Sequence, residues 1–205
     1  MTEGGRATPE ERARLWEDIL SSGRDIIFKP QAFFQGMPPA EGYLRPLLFA
    51  STVFLIVLAY SVVLVATGIP FPGGQEAEEK ALGDVFLKAP LLYVLWILGL
   101  FVGSAFLHLS FKILKGKAPF QGTFRLFAYS TVANLLSLVP LLGQYLSTMY
   151  ALILIMLGGR YVHGLSSLRA IIAPLLPALL VWALLFTLVY TGLLPLEKLK
   201  EGLRH

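Results

Sequence analysis

Uncharged stretches dominate the pattern of apolar and polar positions along this chain. Four of them contain 23 or more residues and are rich in aliphatic and aromatic side chains: 46–75, 89–111, 126–159 and 170–196. A helix needs about 20 predominantly apolar residues to cross a hydrocarbon core of about 30 Å. Each stretch is long enough to do so, and the pattern therefore predicts a polytopic integral membrane protein.

The third stretch is too long for one straight span. As a continuous helix, its 34 residues would measure roughly 50 Å, far more than the hydrocarbon thickness. Pro140-Leu141-Leu142-Gly143 lies near its middle and is able to turn the chain. We therefore expect an all-α membrane domain, residues 45–193, with five transmembrane helices at about 45–66, 89–111, 123–139, 141–157 and 171–193.

Residues 1–44 predict a region with an amphipathic helix at the membrane interface. Thr8 suits the N-cap, Pro9 the first helical position, and Glu11 completes a capping box. Apolar side chains then recur every three or four residues through 16–27, between charged faces. This helix either lies in the headgroup region or packs on the cytoplasmic face of its own protein.

Lysine and arginine are distributed unequally between the two sides of the predicted domain. With five spans, the cytoplasmic side carries 12 of them and the outer side 5, which places the amino terminus in the cytoplasm. Four spans give nearly the same bias, so charge alone does not fix the number of spans. Five spans place the tail 194–205 outside, and an acidic polar loop from Gly68 to Lys88 then joins the first two spans.

The composition narrows the class of protein further. Hydrophobic residues make up 56% of the 205 residues and charged residues only 15%, against roughly a quarter in soluble domains. Without cysteine, the chain has no disulfide, thiolate metal site or cysteine nucleophile. The net charge is +4, but the basic residues flank apolar stretches, where orientation and anionic lipid headgroups account for them. We therefore expect no nucleic-acid partner.

Catalytic and metal-binding patterns are not found in the sequence. The histidines His108, His163 and His205 share no ligand spacing, and no phosphate-binding loop, serine-hydrolase or zinc-protease motif occurs. No aspartate or glutamate lies in a predicted span, which disfavours proton-coupled transport through membrane carboxylates. We expect no catalytic residue, no metal, no cofactor and no enzymatic activity.

Four polar side chains in the predicted spans form a possible intramembrane polar cluster: His108, Tyr129, Asn134 and Ser137. Polar residues in such positions hydrogen-bond between helices, and they also line substrate paths. Gly99 and Gly103 give the second span a GxxxG spacing, which permits close approach of another helix. Helix packing and a path for a small solute therefore both remain open.

Basic residues at the predicted cytoplasmic border are candidates for contact with lipid or a partner: Arg125, Arg160, His163 and Arg169. Such a set can bind a lipid phosphate or the acidic segment of another protein. The orientation rule accounts for the same residues without a ligand, and Ser166 is a plausible N-cap for the last helix. Ligand binding and a purely structural role are the two interpretations.

Several stretches resemble the bacterial branch of the Yip family of five-span membrane proteins: Lys115 to Ser130, Val139 to Gly143, Val162 to Ser166 with Arg169-Ala170, and Pro30 to Phe34 with Met37-Pro38. The resemblance extends over about 28–193. It implies five helices, a cytoplasmic amino terminus and an outer carboxy terminus. Eukaryotic members are associated with Rab-type GTPases and vesicle traffic, but the Asp-Leu-Tyr-Gly-Pro segment typical of them is absent here, which argues against carrying over Rab binding.

Two functional hypotheses follow from the sequence. The first is a non-enzymatic scaffold in a bacterial inner membrane, which associates with itself, with anionic lipid or with other membrane proteins through small-residue and polar helix faces. By resemblance, its role is linked to membrane organisation or trafficking. The second is a small transporter or permease, in which the polar strip around Asn134 lines a path between helices.

Overall fold

The computed structural model describes residues 8–67 and 80–191, and every regular element within these two ranges is helical. The prediction of an all-α fold is therefore confirmed for this part of the chain. The elements are α1 (Pro9–Phe28), α2 (Pro30–Gly36), α3 (Leu44–Ala66), α4 (Lys80–Ile113), α5 (Phe120–Ser130), a 3₁₀ helix (Thr131–Leu138), α6 (Gly143–Tyr161), α7 (Ser167–Ile172) and α8 (Leu175–Tyr190).

Two of these helices are long and apolar enough to cross a membrane. They are Leu44–Leu64 in α3 and Leu87–Ile113 in α4, and they overlap the first two predicted spans. The protein buries only 28% and 17% of their most apolar windows. A helix that is apolar on all sides must be covered on all sides, and here the protein itself does not provide that cover. Lipid is the natural environment for both helices.

The predicted loop between the first two spans is shorter than expected. We predicted a loop as far as Lys88, but α4 begins at Lys80, so Asp84 and Lys88 are helical. The chain around Asp84 has no proline or paired glycine to stop a helix, and the breakers Gly68 to Gly74 all precede it. Residues 68–79 of the predicted loop lie outside the described residues.

The third predicted span, 123–139, is not one α-helix. It starts at Phe120, directly after Pro119, and changes to a 3₁₀ helix at Thr131. Ser130 Oγ donates to Leu126 O at 2.8 Å and Thr131 Oγ1 to Ala128 O at 2.6 Å. Such bonds from hydroxyls back to the preceding turn compete with the helical pattern, and the change of helix type occurs at this pair.

The predicted turn at Pro140 to Gly143 is present and reverses the chain between the 3₁₀ helix and α6. Leu141 adopts a left-handed backbone with φ of 66°. Gly143 is buried against the carbonyl of Leu136, and a Cβ atom at this position would overlap that oxygen. The turn therefore depends on a glycine, as the Pro-Gly pattern predicts.

The last predicted span, 171–193, is divided into α7 and α8. Pro174 separates them, because it cannot donate the backbone hydrogen bond that continues a helix. Ser166 is the N-cap residue of α7, as predicted, but its side chain makes no capping hydrogen bond. Residues 192 and 193 of this predicted span lie outside the described ranges.

The amino-terminal helices pack into the bundle. The first begins at Pro9, where the sequence predicts it, while the predicted capping contact of Glu11 is outside what the structure describes. Ile26 and Phe34 are fully buried, and Tyr150 Oη on α6 donates to Ile26 O at 2.9 Å. Of the two predicted placements, packing against the protein applies to α2 and the end of α1. The rest of α1 exposes apolar side chains, including Trp16 and Leu20.

The core of the bundle lies around α5. Eight of its 11 residues are buried, and α3, α4 and α6 all contact it. Three of its polar residues, Thr123, Arg125 and Ser130, are buried as well. A central helix surrounded by protein does not need an apolar surface on every side, because its polar side chains can find hydrogen-bond partners inside the bundle.

Candidate functional site

A buried threonine joins two histidines at the start of α5. Thr123 Oγ1 lies 2.7 Å from His108 Nδ1 on α4 and 3.0 Å from His163 Nε2 in the loop after α6. We call these three residues the Thr123 cluster. It connects three parts of the chain, and both Thr123 and His163 have no exposed surface. The cluster is therefore part of the protein interior.

The hydrogen atoms of the Thr123 cluster can be assigned from its unpaired nitrogen. His163 Nδ1 is buried without a hydrogen-bond partner. If this nitrogen carried a proton, a buried donor would be left unpaired, which is rarer and more costly than an unpaired acceptor. His163 Nε2–H therefore donates to Thr123 Oγ1, and the hydroxyl of Thr123 donates to His108 Nδ1. Both imidazoles are neutral in this arrangement.

The loops around His163 hold its ring in place. Phe111 stacks on the ring with 4.2 Å between centroids, and Lys117 N–H donates to His163 O at 3.0 Å. Gly116 approaches so closely that a Cβ atom there would lie 2.9 Å from His163 Nδ1. Burial, and then repulsion from His108 in its protonated form and from Lys112, lower the pKa of His163 to about 3. The histidine is therefore neutral near pH 7.

A buried arginine lies two residues further along α5. The side chain of Arg125 is only 4% exposed, and its Nη2 is 3.4 Å from Glu41 Oε2 in the loop between α2 and α3. Nε and Nη1 of the same side chain are buried without a hydrogen-bond partner. Because Glu41 is half exposed, it is a counter-charge at the edge of the bundle. This ion pair fastens the α2–α3 loop to the central helix.

The four predicted border residues divide into two pairs. Arg160 and Arg169 are exposed, at the end of α6 and on α7. Arg125 and His163 are buried, which corrects the prediction that their side chains lie at the surface for lipid or a partner. Their burial comes from the α2–α3 loop, which contacts Arg125, and from the 114–119 loop, which packs on His163.

The four residues of the predicted intramembrane cluster do not share one set of contacts. His108 belongs to the Thr123 cluster, and Tyr129 packs edge-on against Phe33, with ring centroids 5.1 Å apart. Asn134 and Ser137 are joined, because Ser137 Oγ donates to Asn134 O at 2.6 Å. Asn134 Oδ1 also accepts a hydrogen bond from Ser147 Oγ on α6 at 3.3 Å. The polar strip is therefore smaller than predicted.

Thr123, Glu41 and Ser147 were not predicted from the sequence as partners of these residues. A signal was available for one of them, since His108 and His163 were both placed at the cytoplasmic side, where the start of the third span also lies. No comparable signal pointed to Glu41, which is 84 residues from Arg125. Within the described residues, no three His, Asp or Glu side chains group as metal ligands do.

The site can provide cohesion between helices. Its hydroxyl and imidazoles are enclosed, and a substrate would have to open the bundle to reach Thr123. Hydrogen bonds of this kind hold membrane helices together.

Comparison with known proteins identifies the family of this chain. No curated protein and no solved structure matches it. The family model described as the Yip1 domain matches residues 24–190, from within α1 to the end of α8. This range contains the Thr123 cluster, Arg125 and the two long apolar helices. Because the match covers well over half of the chain, the protein belongs to the Yip1 domain family.

Proposed function

We propose that this protein is a non-enzymatic integral membrane scaffold with a membrane-associated, trafficking-related role. Membership of the Yip1 domain family and the two long apolar helices support the membrane setting. In this proposal the protein lies in a bacterial inner membrane and crosses it five times. Its amino terminus is cytoplasmic and its carboxy terminus is outside. It associates with anionic lipid, with itself or with other membrane proteins.

The observation that carries the proposal is where the polar side chains of the helices are directed. The Thr123 cluster joins α4, α5 and the loop after α6, Asn134 bonds Ser147 across the 3₁₀ helix and α6, and Ser51 Oγ lies 2.8 Å from Tyr93 Oη across α3 and α4. These bonds are made between elements of the same bundle. The exposed faces of α3, α4 and α8 carry many large apolar side chains, which are available to lipid and to other membrane helices.

The dimensions of the remaining helices support five crossings. α5 and the 3₁₀ helix together contain 19 consecutive residues, which extend over roughly 30 Å at the rises of the two helix types. α6 also has 19 residues, and α7 with α8 extends from Ser167 to Tyr190. Each can cross a hydrocarbon core of about 30 Å when packed in the bundle.

A topology experiment tests the five crossings. A phosphatase active only outside the cytoplasm, fused after His205, should be active, and the same enzyme inserted after Lys117 should be inactive. If the phosphatase at His205 is inactive, and a reporter that works only in the cytoplasm is active at the same position, the five-span arrangement is overturned.

Photo-crosslinking in native membranes tests the scaffold itself. A photoreactive amino acid at Val102, which is exposed on α4, should form adducts with a second copy or with another membrane protein. The matched control is Leu107, which is buried on the same helix and should give only adducts within the chain. A protein that is monomeric and crosslinks to no protein from Val102 and equivalent exposed positions would contradict the proposal.

Replacing Asn134 with leucine separates a scaffold from a transporter. The Ser147–Asn134 bond predicts that Asn134→Leu lowers thermal stability in detergent, and that Ser147→Ala does so too. The scaffold also predicts that wild-type proteoliposomes take up no test solutes beyond the leak of empty vesicles. Solute flux that is lost in Asn134→Leu while stability is retained would favour transport instead.

A further inference from the structure

A groove runs between the end of α6 and the short helix α7. Its walls are apolar and consist of Ile153, Met156 and Leu157 on α6 and Ile171 on α7. Arg160 and Ser167 contribute the polar part of the lining. The cavity volume is about 230 Å³, less than the 300 Å³ or more of a typical small-molecule pocket, so it holds one stretch of a longer ligand.

The polar lining is confined to one end of the groove. α6 and α7 are joined by only five residues, so the start of α7 at Ser167 returns close to the end of α6, where Arg160 lies. From this end, α6 leads back through Leu157 and Met156 to Ile153. The groove therefore changes from polar to apolar along its length, as the border of a membrane does.

A close contact of two small residues forms the groove. Gly159 on α6 faces Ala170 on α7, and a Cβ atom at Gly159 would lie 3.5 Å from the Cβ atom of Ala170. The turn between the helices is fixed by Gly164, whose φ is +65°, and by Leu165 N–H, which donates to Gly159 O at 3.2 Å. The larger side chains of Met156 and Leu157 on α6 and of Ile171 on α7 form the walls beside this contact.

The groove is open to the surroundings of the protein. Ile153 and Ile171 are 48% and 47% exposed, and Leu168 beside them on α7 is 68% exposed. Apolar side chains at these positions are compatible with an acyl chain or another apolar ligand but not with a polar one. The occupant must therefore have an apolar part that lies along α6.

The positive charge at the polar end belongs to Arg160, whose Cζ lies 5.4 Å from the centroid of the Tyr161 ring. Among residues in the described ranges, no carboxylate forms an ion pair with Arg160. A guanidinium presents a planar fork of donors that matches a phosphate, and a serine hydroxyl can donate one more hydrogen bond to it. Arg169 is exposed on the neighbouring helix but does not line the groove.

We propose that the α6–α7 groove binds one anionic phospholipid. Its phosphate lies on Arg160 and Ser167, and part of one acyl chain lies along Ile153, Met156 and Leu157. This proposal adds a specific lipid ligand to the proposed scaffold function, and it rests on the membrane setting proposed above. It also assigns different roles to the two exposed arginines: Arg160 holds a particular lipid, whereas Arg169 only contributes to the general positive charge of this face.

Native mass spectrometry of the purified full chain tests this assignment. The protein is delipidated in non-ionic detergent and titrated with phosphatidylglycerol, or with phosphatidylcholine carrying the same chains. We expect one phosphatidylglycerol to be retained in preference to phosphatidylcholine. Arg160→Gln should weaken this binding about tenfold, the loss expected for charge-assisted hydrogen bonds, whereas Arg169→Gln should leave it unchanged. Because Arg160 is exposed, the variant should remain folded.

Two further arms test the apolar part of the site. Ile171→Trp fills the groove and should abolish retention while Arg160 is still present, and a thermal melt confirms that the variant is folded. Should it not fold, Ile153→Phe serves as the second variant. Glycerol phosphate at millimolar concentration should not displace the lipid, because it lacks the acyl chain.

Several outcomes would overturn the lipid site. Equal losses in Arg160→Gln and Arg169→Gln would show general attraction to charge. Equal retention of the two lipids, or displacement by glycerol phosphate, would show that the site does not select an anionic lipid. Binding of an acidic amphipathic peptide without any retained lipid would indicate a protein ligand. Failure of this kind is distinct from failure of the scaffold, because crosslinks from Val102 do not depend on the groove.

Discussion

Leu126 on α5 occupies the space that Gly158 leaves open on α6. The side chain of Leu126 is fully buried, and Gly158 is buried opposite it. A Cβ atom on Gly158 would overlap Cγ and Cδ1 of Leu126. The missing side chain therefore sets how closely the central helix approaches α6.

Adding one methyl group at this contact should destabilise the protein. Gly158→Ala forces Leu126 or the two helices to move, and overpacking of this kind costs about 1 to 3 kcal/mol. The measurement is the thermal midpoint in a mild non-ionic detergent. Gly99→Ala on α4 is the matched control, because nothing lies within 4 Å of its added Cβ and alanine is the better helix former.

A double variant then tests whether Leu126 is the cause. Leu126→Ala alone should be destabilising, but Gly158→Ala should cost far less in that background, because the overlapping atoms are gone. Additive losses of the two substitutions would contradict the contact. A loss in Gly99→Ala as large as that in Gly158→Ala would show only a general intolerance of helix changes.

The ion pair between Glu41 and Arg125 predicts a second difference in stability. Glu41→Gln leaves the buried guanidinium without its counter-charge. Breaking a fully buried pair costs about 3 to 5 kcal/mol, and because Glu41 is half exposed we expect about 1 to 2 kcal/mol here. The free energy of unfolding in detergent, from thermal or chemical denaturation, is the quantity to compare.

Asp18→Asn is the control for that experiment. Asp18 and Arg45 also form an ion pair, at 3.8 Å, but both side chains are more than half exposed. Exposed pairs contribute about 0 to 1 kcal/mol, so this variant should lose clearly less stability than Glu41→Gln. Equal effects of Glu41→Gln and Asp18→Asn would contradict the special role of the buried arginine.

The sequence predicts those features of the fold that depend on neighbouring residues. The apolar stretches in α3 and α4, the helix start at Pro9 and the turn at Pro140 to Gly143 are all local, and they appear where predicted. The 3₁₀ helix was not predicted, because it depends on whether Ser130 and Thr131 bond to their own backbone or elsewhere. That choice is made by the packing around them.

The candidate site could be predicted only in part for a related reason. His108 and His163 were recognised as polar residues near one side of the membrane, but they are brought together through Thr123, which is 15 and 40 residues away. Spacing along the chain contains no signal for such contacts. The burial of Arg125 likewise depends on a loop from another part of the chain, and a single sequence does not report it.

The Thr123 cluster predicts that one hydroxyl group stabilises two imidazoles. Thr123→Val keeps the shape of the side chain but leaves both nitrogens without their partner, and an unpaired buried polar group costs about 1 to 3 kcal/mol. Thr123→Ser keeps the hydroxyl and should lose less. Thermal midpoints in detergent compare the two variants, and a serine variant that is as unstable as the valine variant would contradict the assigned hydrogen bonds.

The buried His163 also predicts a dependence of stability on pH. Its pKa is lowered from 6.5 to about 3 in the folded protein, mainly by burial. Between these two values the unfolded chain binds a proton that the folded protein does not. The free energy of unfolding should therefore be highest above pH 6.5 and fall as the pH falls toward 3, by on the order of 1 kcal/mol per pH unit.

His163→Gln isolates this contribution. The amide of glutamine can still donate a hydrogen bond toward Thr123 Oγ1, but it does not titrate. Thermal midpoints between pH 7.5 and 5.0 should therefore fall less steeply in the variant than in the wild type. Titratable groups that do not contact the Thr123 cluster are common to both proteins and cancel in the comparison. Parallel curves would mean that His163 is not kept neutral by burial, and that it takes up a proton in the folded protein as readily as in the unfolded chain.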